Sequence, residues 1–413
     1  MTFSLSGTRM PPVSHLPNLL PRLLSALLLA AALPSALAAN PCTDACQALI
    51  GEGHALQAQG KFEQAYAKFR AAGEAAPQAS LPLSSTAGLL YDLSASAKPA
   101  QAEKLRSDAR RMANRALELA ADDPLAQETL RQLDDDGPSP LHQPGPALDP
   151  ARRNAEILFT QRKFDEARKQ YEAQMQLDPQ YSGAWVGAGD CYFAQGDWVR
   201  AEALFRRATE IEPHNAQAWR YLSDALVSQR KFAAAEAALL SGIAADPSQR
   251  PNWSKLAAMR AAASLPLKPL ALQRGARVTQ EAGGKYTIEI EGRFGEQMDT
   301  PDGAMRLMLA AVEASERADN LDKNKDKPHS AYDIELDAWR KALQVADELK
   351  ANTGKDLGDP ALRQMQALAR DGQLEPAILI LLFRQAYRPA LDAWRAQHPG
   401  GVKAFIDRYG LQP

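Results

Sequence analysis

Three cysteines and six histidines are the residues of this 413-residue chain best suited to metal or nucleophilic chemistry. Cys42 and Cys46 stand four apart in Cys-Thr-Asp-Ala-Cys, a spacing open to a short disulfide in an oxidising compartment. A metal site is the rival reading, but two thiols without a nearby His or further Cys do not complete a tetrahedral set. Cys191 has no partner close in the chain and reads as a small, packed apolar residue. His15, His54, His142, His214, His329 and His398 are scattered, none beside another, which suits surface or cap positions. Asp322, Asn324, Asp326, Ser330 and Asp333 fall at positions 1, 3, 5, 9 and 12 of a calcium-loop template. However, Lys327 stands where glycine makes the turn, Pro328 follows, and Lys323 and Lys325 add further cations. That segment reads as a solvated, helix-capping loop. Gly284-Lys285 lacks the rest of a phosphate loop, and neither Gly-x-Ser-x-Gly nor His-Glu-x-x-His occurs. No catalytic residue, metal or cofactor is assigned, and a protein that is not an enzyme is expected.

Composition narrows the field further. A net charge of −2, with 24% charged and 45% hydrophobic residues, disfavours a general nucleic-acid or anionic-membrane binder. Residues 1–38 read as a secretory signal peptide. Arg9 and Arg22 form a basic leader, Leu23 to Leu33 is an apolar run broken only by Ser25, and Pro34 precedes Ala36-Leu37-Ala38. Cleavage near Ala38-Ala39 would leave a periplasmic or secreted chain without a membrane span. Retention as an anchor is the alternative, but Leu23 to Ala39 is only 17 residues, contains Pro34 and has no basic flank after it. Met10 offers another start.

The elements that must position any site announce themselves by repetition. Trp185, Trp219 and Trp253 are 34 residues apart, as are Phe164, Trp198 and Phe232, and Ala167, Ala201 and Ala235. Tyr171, Phe205 and Leu239 keep the step, as do Pro179, Pro213 and Pro247, and Gln161, Gln195 and Gln229. Trp185, Gly189 and Tyr192 share one helical face, with glycine where a second helix must come close. Gly196 ends the first helix and Pro213 stops the second. In these positions residues 182–215 resemble the tetratricopeptide-repeat consensus, with flanking copies at 148–181 and 216–249 in which Arg162 and Arg230 replace the turn glycine. An earlier copy keeps Gly53, Gly60, Phe62, Ala65, Phe69, Ala72 and Pro77 in register. The resemblance implies an all-α helical solenoid.

Around these copies the organisation follows composition. Residues 39–136 are expected to form an N-terminal repeat-like lobe, and the proline-rich stretch 137–150 a semi-rigid linker. Residues 151–265 form the solenoid, with a solvating cap opened by Trp253 and Leu256. Residues 276–413 read as a β-hairpin followed by a mainly helical domain. In the hairpin Val278, Tyr286, Ile288 and Ile290 point inward and Lys285, Thr287, Glu289 and Glu291 outward. Helices are punctuated by Thr300-Pro301, Gly354, Asp359-Pro360, Gly372 and Gly410, and Ala377 to Phe383 reads as a buried core helix.

The family resemblance implies a concave groove lined by the first helix of each repeat. The residues expected to face it are Arg152, Glu156 and Phe159, then Val186, Asp190 and Phe193, then Arg220, Asp224 and Val227, each trio lying along one helix face. Phe159 and Phe193, expected to be exposed, favour binding over a merely solvated face. The Lys/Asn pattern that clamps a C-terminal carboxylate in some relatives is missing. The expected function is an exported scaffold holding a protein or peptide partner in envelope or secretion-machine assembly. The alternative is an enzyme or ligand-binding module within residues 276–413, with the repeats as its targeting arm.

Overall fold

The computed structural model describes residues 2–5 and 42–413, apart from 59–60, 95–96, 98, 121–122, 135–140, 282–283 and 291. The leader therefore lies, but for residues 2–5, outside the described residues. Contacts divide the chain into two compact units, residues 9–136 and residues 137–413 with 1–8.

In the first unit, α1 (Asp44–Ala58) and α2 (Phe62–Ala75) form a hairpin, followed by α3 (Leu81–Ser94), α4 (Pro99–Leu119) and α5 (Pro124–Asp134). Phe69, with no exposed surface, lies against Gly53 so closely that a Cβ there would come within 2.3 Å of its ring. A disulfide joins Cys42 to Cys46, with Cα atoms 5.3 Å apart, at the entry to α1.

The second unit begins with three helical hairpins in the 34-residue register. These are α6 (Asp149–Thr160) with α7 (Phe164–Leu177), α8 (Ser182–Ala194) with α9 (Trp198–Ile211), and α10 (Ala216–Ser228) with α11 (Phe232–Ala245). Small residues set the hairpin spacing. Ala167, Ala201 and Ala235 are fully buried, and a Cβ at Gly189 would sit 2.5 Å from the Phe205 ring. The turn between paired helices needs a left-handed residue. Gly196 supplies it at φ 82°, while Arg162 and Arg230 are held there at 60° and 59°. Adjacent repeats are tied by Glu202 on α9. It accepts hydrogen bonds from Lys231 at 2.7 Å and Gln229 at 2.8 Å in the next turn, and another from Arg206. Burial opposes the charge, but those three donors hold its carboxyl down at about 2.

After α12 (Arg250–Ala262) come β2 (Lys268–Pro269), the antiparallel pair β3 (Ala276–Gln280) and β4 (Tyr286–Ile290), and six helices. These are α13 (Pro301–Leu321), α14 (Ala331–Thr353), α15 (Pro360–Arg370), α16 (Leu374–Leu381), α17 (Arg388–Gln397) and α18 (Gly401–Tyr409), closed by β5 (Leu411–Gln412) parallel to β2. Residues 2–5 form β1, antiparallel to β4. Val278, Tyr286 and Ile288 pack on Ala310, Ala311 and Ala314 of α13. Thr287, expected outward, is 2% exposed; its hydroxyl donates to the Glu281 carboxylate.

Two expectations are corrected here. The end of the repeat array is not a solvating cap, because Trp253 and Leu256 are 2% and 0% exposed. Nor does the core break between residues 265 and 276. Leu239, Ile243, Trp253 and Leu256 share one hydrophobic cluster with Met305, Trp339, Ile378, Tyr387 and Phe405. The cause is the apolar side of α11 and α12, which joins the apolar run of α16 in one cluster, with α18 against both α11 and α16, instead of facing water. Polar locks frame the junction. Arg388 donates to the Ala245 carbonyl and lies 3.6 Å from Asp246, and Arg260 pairs with Glu236 and with Asp407 of α18. Deeper in, one guanidinium nitrogen of Arg274 donates to both oxygens of Glu335 at 2.6 Å and another donates to Glu313 at 3.2 Å, and the Trp339 indole donates to the Glu335 carboxylate at 2.7 Å.

Candidate partner-binding face

The first helices α6, α8, α10 and α12 carry the expected face, and α8 touches α10 as α10 touches α12. Glu156 and Val227 are exposed there, whereas Arg152, Phe159, Asp190, Phe193, Arg220 and Asp224 are half-buried. Val186 is only 7% exposed and packs with Phe205 and Leu222, so it is core and not groove. The sequence of α8 explains the shift. Besides Gly189 it carries Gly183 and Gly187, four residues apart, and neighbouring rings close down on that side. A Cβ on Gly183 would lie 2.4 Å from the Tyr181 ring, and one on Gly187 would lie 2.4 Å from the Tyr171 ring. Phe159 and Phe193 are not open either. Phe159 meets Phe164 edge-on at 5.3 Å, and Phe193 packs against the Val186 cluster. Their periodicity was legible; their coverage depends on rings from elsewhere in the repeats.

Charge on this face is unevenly matched. Lys255 on α12 donates to Asp224 at 2.5 Å. Arg220 stacks 4.9 Å over the Tyr221 ring, and Arg152 lies 5.9 Å over the Tyr181 ring. Among the described residues, Asp190 has neither a hydrogen-bond nor an ion-pair partner. Burial, and next the charge of Asp224, push its carboxyl up to about 7, with Arg220 opposing. The Tyr171 phenol is likewise pushed up, by burial first and then by Cys191, Glu156 and Asp190, which puts it in the electrostatic range of both acids. Burial and Asp190 push the Cys191 thiol up to about 12, so it is protonated and inert at neutral pH. Tyr181 and Lys255 belong to this face and were missed by spacing alone, whereas Tyr171, in the core with Ala167 and Ala188, is covered as Val186 is. Gly183 of α8 was the available signal for Tyr181.

A second concavity lies among the C-terminal helices. It is an open groove of about 880 Å³ lined by Arg340, Leu343, Asp347, Leu374, Trp394 and His398 among others. Several of its charges are matched within the chain, while Glu348, also in its lining, accepts among the described residues only from Gln344 at 2.9 Å. Arg340 pairs with Glu375 at 3.2 Å, Asp347 accepts from Gln366 and Arg370 at 2.8 Å, and Trp394 stacks on His398 at 4.9 Å. In the loop from Asp322 to Asp333, Asp333 is engaged with Ser330 in the capping box of α14, and Lys323 pairs with Asp319. Among the described residues no three His, Cys, Asp or Glu side chains converge as a metal-holding group. No helix of the described residues is long and apolar enough to cross a membrane.

Stacked antiparallel helix pairs of constant length, with a small residue at each crossing, define a helical-repeat protein. Two tetratricopeptide-repeat family profiles match residues 152–216 and 192–259. Residues 152–259 of this chain are tetratricopeptide repeats, and its C-terminal region lies outside both profiles. Among solved structures it is similar to MamA from Desulfovibrio magneticus RS-1, at 13% identity over 50% of this chain and 98% of that one, with a TM-score of 0.24. It is also similar to the TPR2AB domain of yeast Sti1 in its pHSP90 complex, at 14% identity, 54% and 86% coverage and a TM-score of 0.27. A third similar structure is pilF of Pseudomonas aeruginosa, at 13% identity, 78% and 97% coverage and a TM-score of 0.22. Among curated proteins, the DNA mismatch repair protein MutS of Thermus aquaticus is 30% identical over 110 residues, covering 26% of this chain. This chain spans only 13% of that relative's length.

Proposed function

We propose that this chain is an exported, periplasmic scaffold that holds a segment of a protein or peptide partner along the first-helix face of residues 148–265, in assembly of an envelope or secretion machine, and that it is not an enzyme. The observation that carries this reading is the unsatisfied face itself. Among the described residues Asp190 has neither a hydrogen-bond nor an ion-pair partner, and Glu156 and Val227 are exposed on the same face, whereas Arg340 and Asp347 of the C-terminal groove are already paired. The solenoid is braced at one end by the shared core, so the first helices form a rigid platform for an incoming chain. Export rests on the leader and is supported by the short Cys42–Cys46 disulfide, which suits an oxidising compartment.

Site-specific photo-crosslinking in envelope preparations tests the reading. A photoreactive residue at Val227 is expected to give a discrete adduct, and one at Leu177 on α7, 74% exposed, is not. An adduct from Glu348 in the C-terminal groove, with none from Val227, would favour the ligand-binding-module alternative. N-terminal sequencing of the exported form is expected to begin near Ala39, and an intact leader in the inner membrane would refute cleavage in favour of an anchor.

A further inference from the structure

We infer that Asp190 is the receptor for a cationic side chain, lysine or arginine, of the segment bound along the first-helix face. The inference rests on the reading above and names the chemistry of its partner. A half-buried carboxylate has lost part of its hydration, and such a group is retained at a stability cost unless a donor meets it. The other acids on this face have an outlet. Asp224 takes the ammonium of Lys255, and Glu156 is exposed to water. Arg220, the nearest cation by charge, spends its guanidinium over the Tyr221 ring and donates no hydrogen bond to Asp190. Within this face, among the described residues, Asp190 is the half-buried carboxylate that no side chain of this chain meets with a hydrogen bond, so a cation from a partner would complete it.

The surroundings suit a cation and not a second anion. Arg220 and Asp224 on α10 act on Asp190, and Tyr171 on α7 and Cys191 beside it are in its electrostatic range. The half-buried Tyr181 ring lies over Gly183 of α8, two turns before Asp190, giving an aromatic wall that favours a lysine or arginine stem. An arginine or lysine seated there would also relieve the repulsion between Asp190 and Asp224.

A random peptide library displayed on phage, selected against the full exported chain, is the test. Selected peptides are expected to share one lysine or arginine, and replacing it with glutamine should weaken binding about tenfold or more. With Asp190→Asn that replacement should matter less than about twofold, and the cation preference should also fade between pH 8 and pH 6 as Asp190 takes up its proton. Peptides that are lost with Val227→Lys yet show no cation preference, or keep it in Asp190→Asn, would overturn this inference alone. Peptides indifferent to Val227→Lys but lost with Glu348→Arg, or no binder at all, would contradict the face as well.

Discussion

Asp190 marks the difference between what spacing shows and what packing decides. Its place in the column Glu156, Asp190, Asp224 was legible from the 34-residue step. Its lack of a partner was not, because that depends on Lys255 reaching Asp224 and on Arg220 lying over a ring. An unfolded aspartate titrates near ~4, and the folded one is raised to about 7. Between those values the folded state holds a proton that the unfolded state has released, so stability falls as pH rises through this window. Asp190→Asn is therefore expected to raise the melting temperature by a few degrees at pH 8, with the gain gone at pH 4. A lower melting temperature at pH 8 would mean that Asp190 is internally paired. The turn arginines give an independent check. Arg162 and Arg230 stand in a left-handed conformation that strains any residue with a Cβ. Arg230→Gly should stabilise the chain by about 0.5–1 kcal/mol in chemical denaturation, net of the extra freedom glycine gives the unfolded state.

At the scale of elements, punctuation was the dependable signal. Thr300, Ser330 and Asp359 each cap a helix through their side chains, and Gly354 and Gly410 end theirs in left-handed geometry. These are local devices, fixed by a residue and its immediate neighbours, so the sequence shows them directly. What covers α12 was not legible, since its partner arrives more than a hundred residues later as α16 to α18. Asp246, at the end of α11, is where the two regions meet. It lies beside Arg388, accepts from Gln385 at 2.9 Å and holds the Ser248 hydroxyl at 2.7 Å. Removing Arg388 leaves Asp246, itself 8% exposed, without its cation and the Ala245 carbonyl without its donor. Arg388→Ala should thus destabilise the second unit by about 3 kcal/mol in urea unfolding, far more than loss of an exposed pair such as Arg207–Glu210.

For the whole molecule, the contacts give two units, and the second contains repeats and C-terminal helices together. Limited proteolysis is expected to release a fragment ending before residue 145 and a resistant one running to the C-terminus, without a stable fragment ending near residue 265. Truncation after residue 265 would expose Leu239, Ile243, Trp253 and Leu256 to water and should not yield a soluble repeat domain. The repeat architecture was legible because each hairpin needs only its neighbours. Its fusion to the C-terminal helices was not, because a shared core is visible only once both surfaces have been formed.

The central claim is that the partner sits on the first-helix face and not in the C-terminal groove. The most direct measurement is the affinity of one selected peptide for Asp190→Asn, Val227→Lys and Glu348→Arg, each verified as folded by its melting curve. The account predicts losses of about tenfold or more for the first two and less than about twofold for the third. Retained affinity in the first two, with a loss confined to Glu348→Arg, would contradict it.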